Sequence, residues 1–141
     1  MSAAASRGAA ARRDRLRSAL TSGATSASWY TEVMLPAVVA EAGVEIRRAL
    51  EGDLPGRLRG LVLFGSVARG TAHEESDVDL LVLVDRLATG ERARIIDRVA
   101  TIGFERNLRI VPIVLTDDKW TELSRRELAF PREVARDGVA L

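Results

Sequence analysis

Apolar and polar positions follow patterns whose period changes along the chain. From Leu35 to Leu50 the apolar residues Leu35, Val38, Val39, Ala42, Ile46, Ala49 and Leu50 recur at three-four spacing. That is the mark of a helix with one buried face. Pro36 suits its first turn, and Gly52 the position just past its end. Arg59 to Phe64 is a near-continuous apolar run, which predicts a strand buried on both faces. Gly65 to Gly70 reads as a tight turn holding a single helical turn, and Asp77 to Val84 as a second strand. Thr89 is placed as the cap of a helix ending near Ile102, with Ala93, Ile96, Val99 and Ala100 inward and Gly103 as its stop. Leu108 to Leu115 predicts a third strand. Pro112 within it lacks a backbone donor, so that strand belongs at an edge or a bulge.

Thr116, Asp117 and Asp118 cap a following helix and set acids at its positive end. Trp120, Leu123 and Leu128 would pack inward from it. Pro131 to Arg136 is a last helical turn stopped by Gly138, and Val139 to Leu141 a short terminal strand. The order α-β-β-α-β-α predicts an α/β (α+β) domain: a small mixed sheet flanked by helices, packed mainly on one of its sides. Residues 1–28 depart from this pattern. They are rich in Ala, Ser and Arg, with Asp14 the one acid, and read as a flexible basic N-terminal extension before a domain at 29–141. Ala10 to Leu20 offers a short basic helix with only Leu16 and Leu20 to anchor it; the alternative for it is a partner-docking helix. Trp29 and Tyr30 read as core packing.

Composition narrows the class. The 141 residues suffice for one domain with a real core. A net charge of +1 gives no overall drive toward nucleic acid or membrane. The absence of Cys excludes disulfides and thiolate metal sites. No apolar run approaches the ~20 residues of a membrane span. A cytoplasmic protein is the expectation.

The chemistry concentrates in residues 61–84. Gly65-Ser66 ends the first strand, and ten residues separate Ser66 from Asp77-Val78-Asp79. Asp77 and Asp79 are two apart on a strand, so both carboxylates share a face while Val78 and Leu80 turn to the core. Two adjacent carboxylates repel unless a cation neutralises them. Mg²⁺ suits such a pair, because it takes one or two carboxylates and completes its shell with phosphate oxygens. Gly65 lets backbone approach a phosphate, the Ser66 hydroxyl can donate to one, and Arg69 adds a fixed positive charge. His73, Glu74 and Glu75 read as solvated loop residues, and Arg57 and Arg59 as surface charges.

Phe64-Gly-Ser-Val-Ala-Arg-Gly70 together with Ser76-Asp-Val-Asp-Leu80 resembles the signature of the DNA polymerase β-like nucleotidyltransferase superfamily. Within it the chain resembles the minimal nucleotidyltransferase domains, and the ending Phe130 to Leu141 looks like their tail. The resemblance implies that Gly65 and Ser66 hold the triphosphate of ATP, the substrate, and that Asp77 and Asp79 hold Mg²⁺ as the catalytic pair. It implies transfer of AMP to a hydroxyl. The short stretch after Leu115 leaves out the helical acceptor-binding domain of drug-modifying members. The expected acceptor is therefore a partner protein, a small helical HEPN-type protein for which this chain would act as antitoxin. A hetero-complex or self-association is expected. The chain also departs from the family pattern. Active members usually carry a third acid on a later strand, yet Leu108 to Leu115 contains neither Asp nor Glu. Glu105 and Asp117 flank that strand at the wrong depth. The alternative reading is a catalytically weak or inactive module that binds nucleotide or partner and acts by complex formation.

Overall fold

The computed structural model describes residues 35–73 and 76–141. The expectations for residues 1–28, Trp29, Tyr30, Glu74 and Glu75 lie outside the described residues. Helix α1 spans Ala37–Asp53, strand β1 Leu58–Phe64, helix α2 Gly65–Arg69 and strand β2 Val78–Val84. Helix α3 spans Glu91–Glu105, strand β3 Ile110–Thr116, helix α4 Asp117–Arg125, helix α5 Ala129–Asp137 and strand β4 Val139–Ala140. The strands form one mixed sheet in the order β3-β2-β1-β4. β1 runs antiparallel to both β2 and β4. β2 and β3 are parallel, and α3 supplies the crossover that parallel neighbours require. β3 is an edge strand, as Pro112 demands.

Period-two alternation sorts the central strands between two cores. Leu61 and Leu63 of β1, with Leu80, Val82 and Val84 of β2, face a cluster built from α1 and α3. Val62 and Phe64, with Leu81 and Leu83, face the other way, onto Val134 and Ala140 with Trp120 and Phe130 packed alongside. Phe130 meets Phe64 edge-on at 5.4 Å and Trp120 at 6.2 Å. The sheet is therefore covered on both faces, where the sequence suggested helices mainly on one side. The physical reason is that Leu61 to Phe64 of β1 and Leu80 to Val84 of β2 are unbroken apolar runs, so neither face of the sheet tolerates water there.

Local departures have equally plain causes. The inward face of α3 is Ile95, Val99 and Ile102, whereas Ala93, Ile96 and Ala100 are exposed. Gly90, at φ +79, takes the cap position in place of Thr89. No side chain caps this helix; the Glu91 carboxylate instead ties its first residue to the chain before it, accepting from the Ala88 N–H at 2.6 Å and from both outer nitrogens of Arg57 at 2.7 and 2.6 Å. Arg57 is thus largely buried, not a surface charge. Thr116 caps α4 as expected, accepting from the Lys119 N–H at 3.3 Å. Leu128 is exposed because it precedes α5 as its cap residue. Pro36 precedes α1 rather than entering it, and Gly52 lies inside its last turn.

Candidate functional site

Strand β1 delivers its last residue, Phe64, opposite Asp79 of β2. The chain then turns into α2 at once, and Gly65 adopts φ +75 to do so. A Cβ at Gly65 would overlap Oδ2 of Asp79. Glycine is required twice over here, by the left-handed backbone and by the carboxylate lying against it. Ser66 follows, half-buried, and its carbonyl accepts from the Thr71 N–H at 3.0 Å, which closes the turn. The two halves of the sequence motif therefore meet at one end of the sheet: Gly65 and Ser66 on one strand exit, Asp77 and Asp79 on the neighbouring strand entry.

Asp77 lies just ahead of β2 and is half-buried. Arg109, which leads into β3, donates from Nη1 to Asp77 Oδ1 at 3.4 Å. Among the described residues Asp79 has no such hydrogen-bonded partner. Burial pushes its carboxyl above the usual carboxylate range, and the charges of Asp77 and Glu133 push it further, against Arg69. Like charges crowd this carboxylate, which favours its meeting a further cation.

Arg69 comes close enough to oppose that crowding, but its hydrogen bonds go elsewhere. Its Nη1 donates to Asp137 Oδ2 at 3.3 Å and lies 3.6 Å from Glu133 Oε1, both on α5. Arg136 also grips Asp137, from Nε at 3.1 Å and Nη2 at 2.8 Å. Arg136 foremost, and Arg69 beside it, hold the Asp137 carboxyl below the usual range. The structure thus brings Gly65, Ser66, Asp77 and Asp79 together and places Arg69 as the link from α2 to α5. Glu133, Asp137 and Arg109 escaped the sequence reading. The available signal was Glu133 and Asp137 at four-residue spacing, one turn apart on the same helix face.

The third-acid position is occupied otherwise. Register pairs Asp79 with Val111 on β3, and Val111 is 39 % exposed. Asp117 is remote, since it follows Thr116, which pairs with Val84 at the other end of β2. Asp117 sits 3.3 Å from Arg59 there. His73 is exposed in the loop, its carbonyl accepting from the Ser76 N–H at 2.9 Å. Among the described residues no three His, Cys, Asp or Glu side chains converge as a metal cage. Two carboxylates still fit Mg²⁺, a hard cation that takes oxygen ligands and shares its shell with phosphates. Gly65 lets the Asp79 carboxylate lie directly against the turn. Among the described residues no helix is long and apolar enough to cross a membrane.

Residues 44–133 match the nucleotidyltransferase domain family. A protein of Methanocaldococcus jannaschii, provisionally named a protein adenylyltransferase, is 37% identical over 71 residues, which is 50% of this chain and 72% of that one. A second protein of that organism with the same provisional name is 46% identical over 41 residues, 29% of this chain and 41% of its own. A nucleotidyltransferase, also provisionally named, from Sulfolobus solfataricus has been solved at 1.40 Å. It superposes with a TM-score of 0.43 at 19% identity, over 76% of this chain and 88% of that one.

Proposed function

The chain belongs to the nucleotidyltransferase domain family, and on that premise we propose that it moves AMP from ATP onto a hydroxyl of a partner protein. The observation that carries the reading is the contact geometry at Gly65. Its missing side chain sets the strand-exit turn directly against the Asp79 carboxylate. A triphosphate on Gly65 and Ser66 would there lie beside both aspartates. Asp77 and Asp79 are the residues that would hold Mg²⁺, which when bound offsets the negative charge building on the phosphoryl oxygens. The turn would hold the triphosphate with its α-phosphate open to the acceptor hydroxyl. The acceptor oxygen forms its bond to the α-phosphorus, the bond to the β-phosphate oxygen breaks, and pyrophosphate leaves. The hydroxyl proton passes to water.

The relatives' provisional name supports a protein as acceptor. A small helical HEPN-type protein is the partner we propose, with this chain as the antitoxin of the pair. One observation favours a second reading. Val111 stands beside Asp79 where an acid would complete the site, which suits a module that binds nucleotide or partner without transfer. A single experiment separates the two. The protein is incubated with labelled ATP, Mg²⁺ and the protein encoded beside it, and the partner's mass is read. Gain of one adenylyl group, lost in the Asp77→Asn/Asp79→Asn double variant, is the expected result. A stable complex that forms without any mass gain establishes the binding module instead.

A further inference from the structure

We infer that Arg109 is a reserve cation of this site, holding Asp77 while no nucleotide is bound and moving to the triphosphate when metal and nucleotide enter. The inference rests on the reading of Asp77 and Asp79 as the metal-holding pair. Three observations carry it. First, the backbone of Arg109 is fixed to the site. Its carbonyl accepts from the Val78 N–H at 2.8 Å, and Val78 is the residue between the two aspartates. Wherever the side chain points, its root stays at the mouth of the pair.

Second, the side chain is free to leave. It is 79% exposed, and only one nitrogen reaches Asp77, at 3.4 Å. A long, single-pronged, exposed ion pair contributes little and is broken at little cost. A guanidinium meant as a permanent structural partner looks different in this same molecule. Arg57 engages Glu91 with two nitrogens, at 2.7 and 2.6 Å, and is mostly buried.

Third, the local charge balance leaves a task for it. Arg69 and Arg136 are taken up by Asp137 and Glu133 on α5. Among the described cations drawn to the carboxylates of this site, Arg109 is the one not committed to α5. A metal ion that takes Asp77 displaces it and leaves an exposed guanidinium beside the phosphates. Its fork geometry suits two phosphate oxygens, which a point charge does not match. Val111, two residues on along the same face of β3, carries no charge that would compete for it.

The test is a binding experiment with wild type, Arg109→Ala and Arg109→Lys. Two ligands are titrated separately, Mn²⁺ alone and Mg²⁺ with a non-hydrolysable ATP analogue. In the alanine variant Asp77 no longer has a competitor, so Mn²⁺ alone should bind about twofold to fivefold tighter. The nucleotide should bind about tenfold to a hundredfold weaker, because a charge-assisted contact to phosphate is lost. Lysine should restore the charge but not the fork and fall between the two. Opposite signs for the two ligands are the mark of a cation that changes partners. If alanine leaves both affinities at wild-type values, or weakens both together, the inference is wrong while the site reading stands. If wild type itself binds neither ligand, the site reading fails and takes the inference with it.

Discussion

Burial raises the proton affinity of the Asp79 carboxyl, and the neighbouring Asp77 and Glu133 carboxylates raise it further. A carboxyl shifted upward on folding opposes the fold wherever it is ionised. The folded chain holds the proton more tightly, so its cost appears as pH rises above the unfolded value of 3.8 and is complete once pH passes the raised folded value. Asp79→Asn should therefore be more stable than wild type at pH 7, and the gap should close as pH falls toward 3.8. Thermal unfolding of both proteins across that range checks it, and a variant less stable than wild type at pH 7 would sink it. The same variant should lose metal binding, as expected where a site is kept at the expense of stability. Spacing along the chain was enough to group Gly65, Ser66, Asp77 and Asp79 as one candidate cluster, because all four lie within one hairpin-like unit. Arg109 and Glu133 were out of reach. Their approach depends on the register of β3 and on where α5 docks, and neither is a local property of the sequence. Arg69 was legible as a cation near the turn, but its partners on α5 were not.

At the scale of elements, each strand read from its apolar run lies within about two residues of its place in the sheet. The misjudged features are those where a tertiary partner overrode local preference. Thr89 is a good cap by type, yet Gly90 enters α3 in the left-handed conformation, and Glu91, the first helical residue, is held by Arg57 from the chain ahead of β1. In α3, Ile95 rather than Ile96 meets the core. The pair of Arg57 and Glu91 has a measurable signature. Hydrogen bonds from Arg57 first, and from the Ala88 N–H second, lower the Glu91 carboxyl from 4.5 to about 2. A depressed carboxyl contributes stability that is present above its unfolded value and lost as pH falls through its folded one. Glu91→Gln should thus be less stable than wild type at neutral pH, with the difference shrinking between pH 4.5 and about 2. Urea unfolding followed by far-UV circular dichroism at several pH values reads this directly. A difference that stays constant across that window would mean the stabilisation comes from packing and not from the ion pair.

Across the whole molecule, the sheet separates two cores, and the site sits where both end. One core ties α1 and α3 to the sheet and needs nothing from α5. The other is smaller, closed by Val134 and Phe130 of α5 with Trp120 of α4. Only the second core shares a face with Asp79, Leu81 and Leu83. The position of α5 therefore bears directly on the turn that would hold a triphosphate. Three groups make that connection: Asp137, nearly buried at the end of α5, and the two guanidinium groups of Arg69 and Arg136 that it accepts from. Arg136 belongs to the same helix as Asp137, so its contact adds nothing between elements. Arg69 belongs to α2, whose first residues are Gly65 and Ser66, so its contact couples the C-terminal helix to the site. Asp137→Asn keeps the shape and removes the charge. It should cost about 2 kcal/mol of stability, the scale of a hydrogen bond to a charged group. It should also weaken nucleotide binding, because Arg69 is released and α2 loses its brace. Arg136→Ala gives the necessary contrast. It should lower stability by less, since that side chain is mostly exposed, and leave nucleotide affinity near wild type. Urea denaturation and nucleotide titration of both variants supply the four numbers. If the two variants weaken nucleotide binding equally, Asp137 acts only by stabilising its own helix, and α5 is a cover for the sheet with no part in shaping the site.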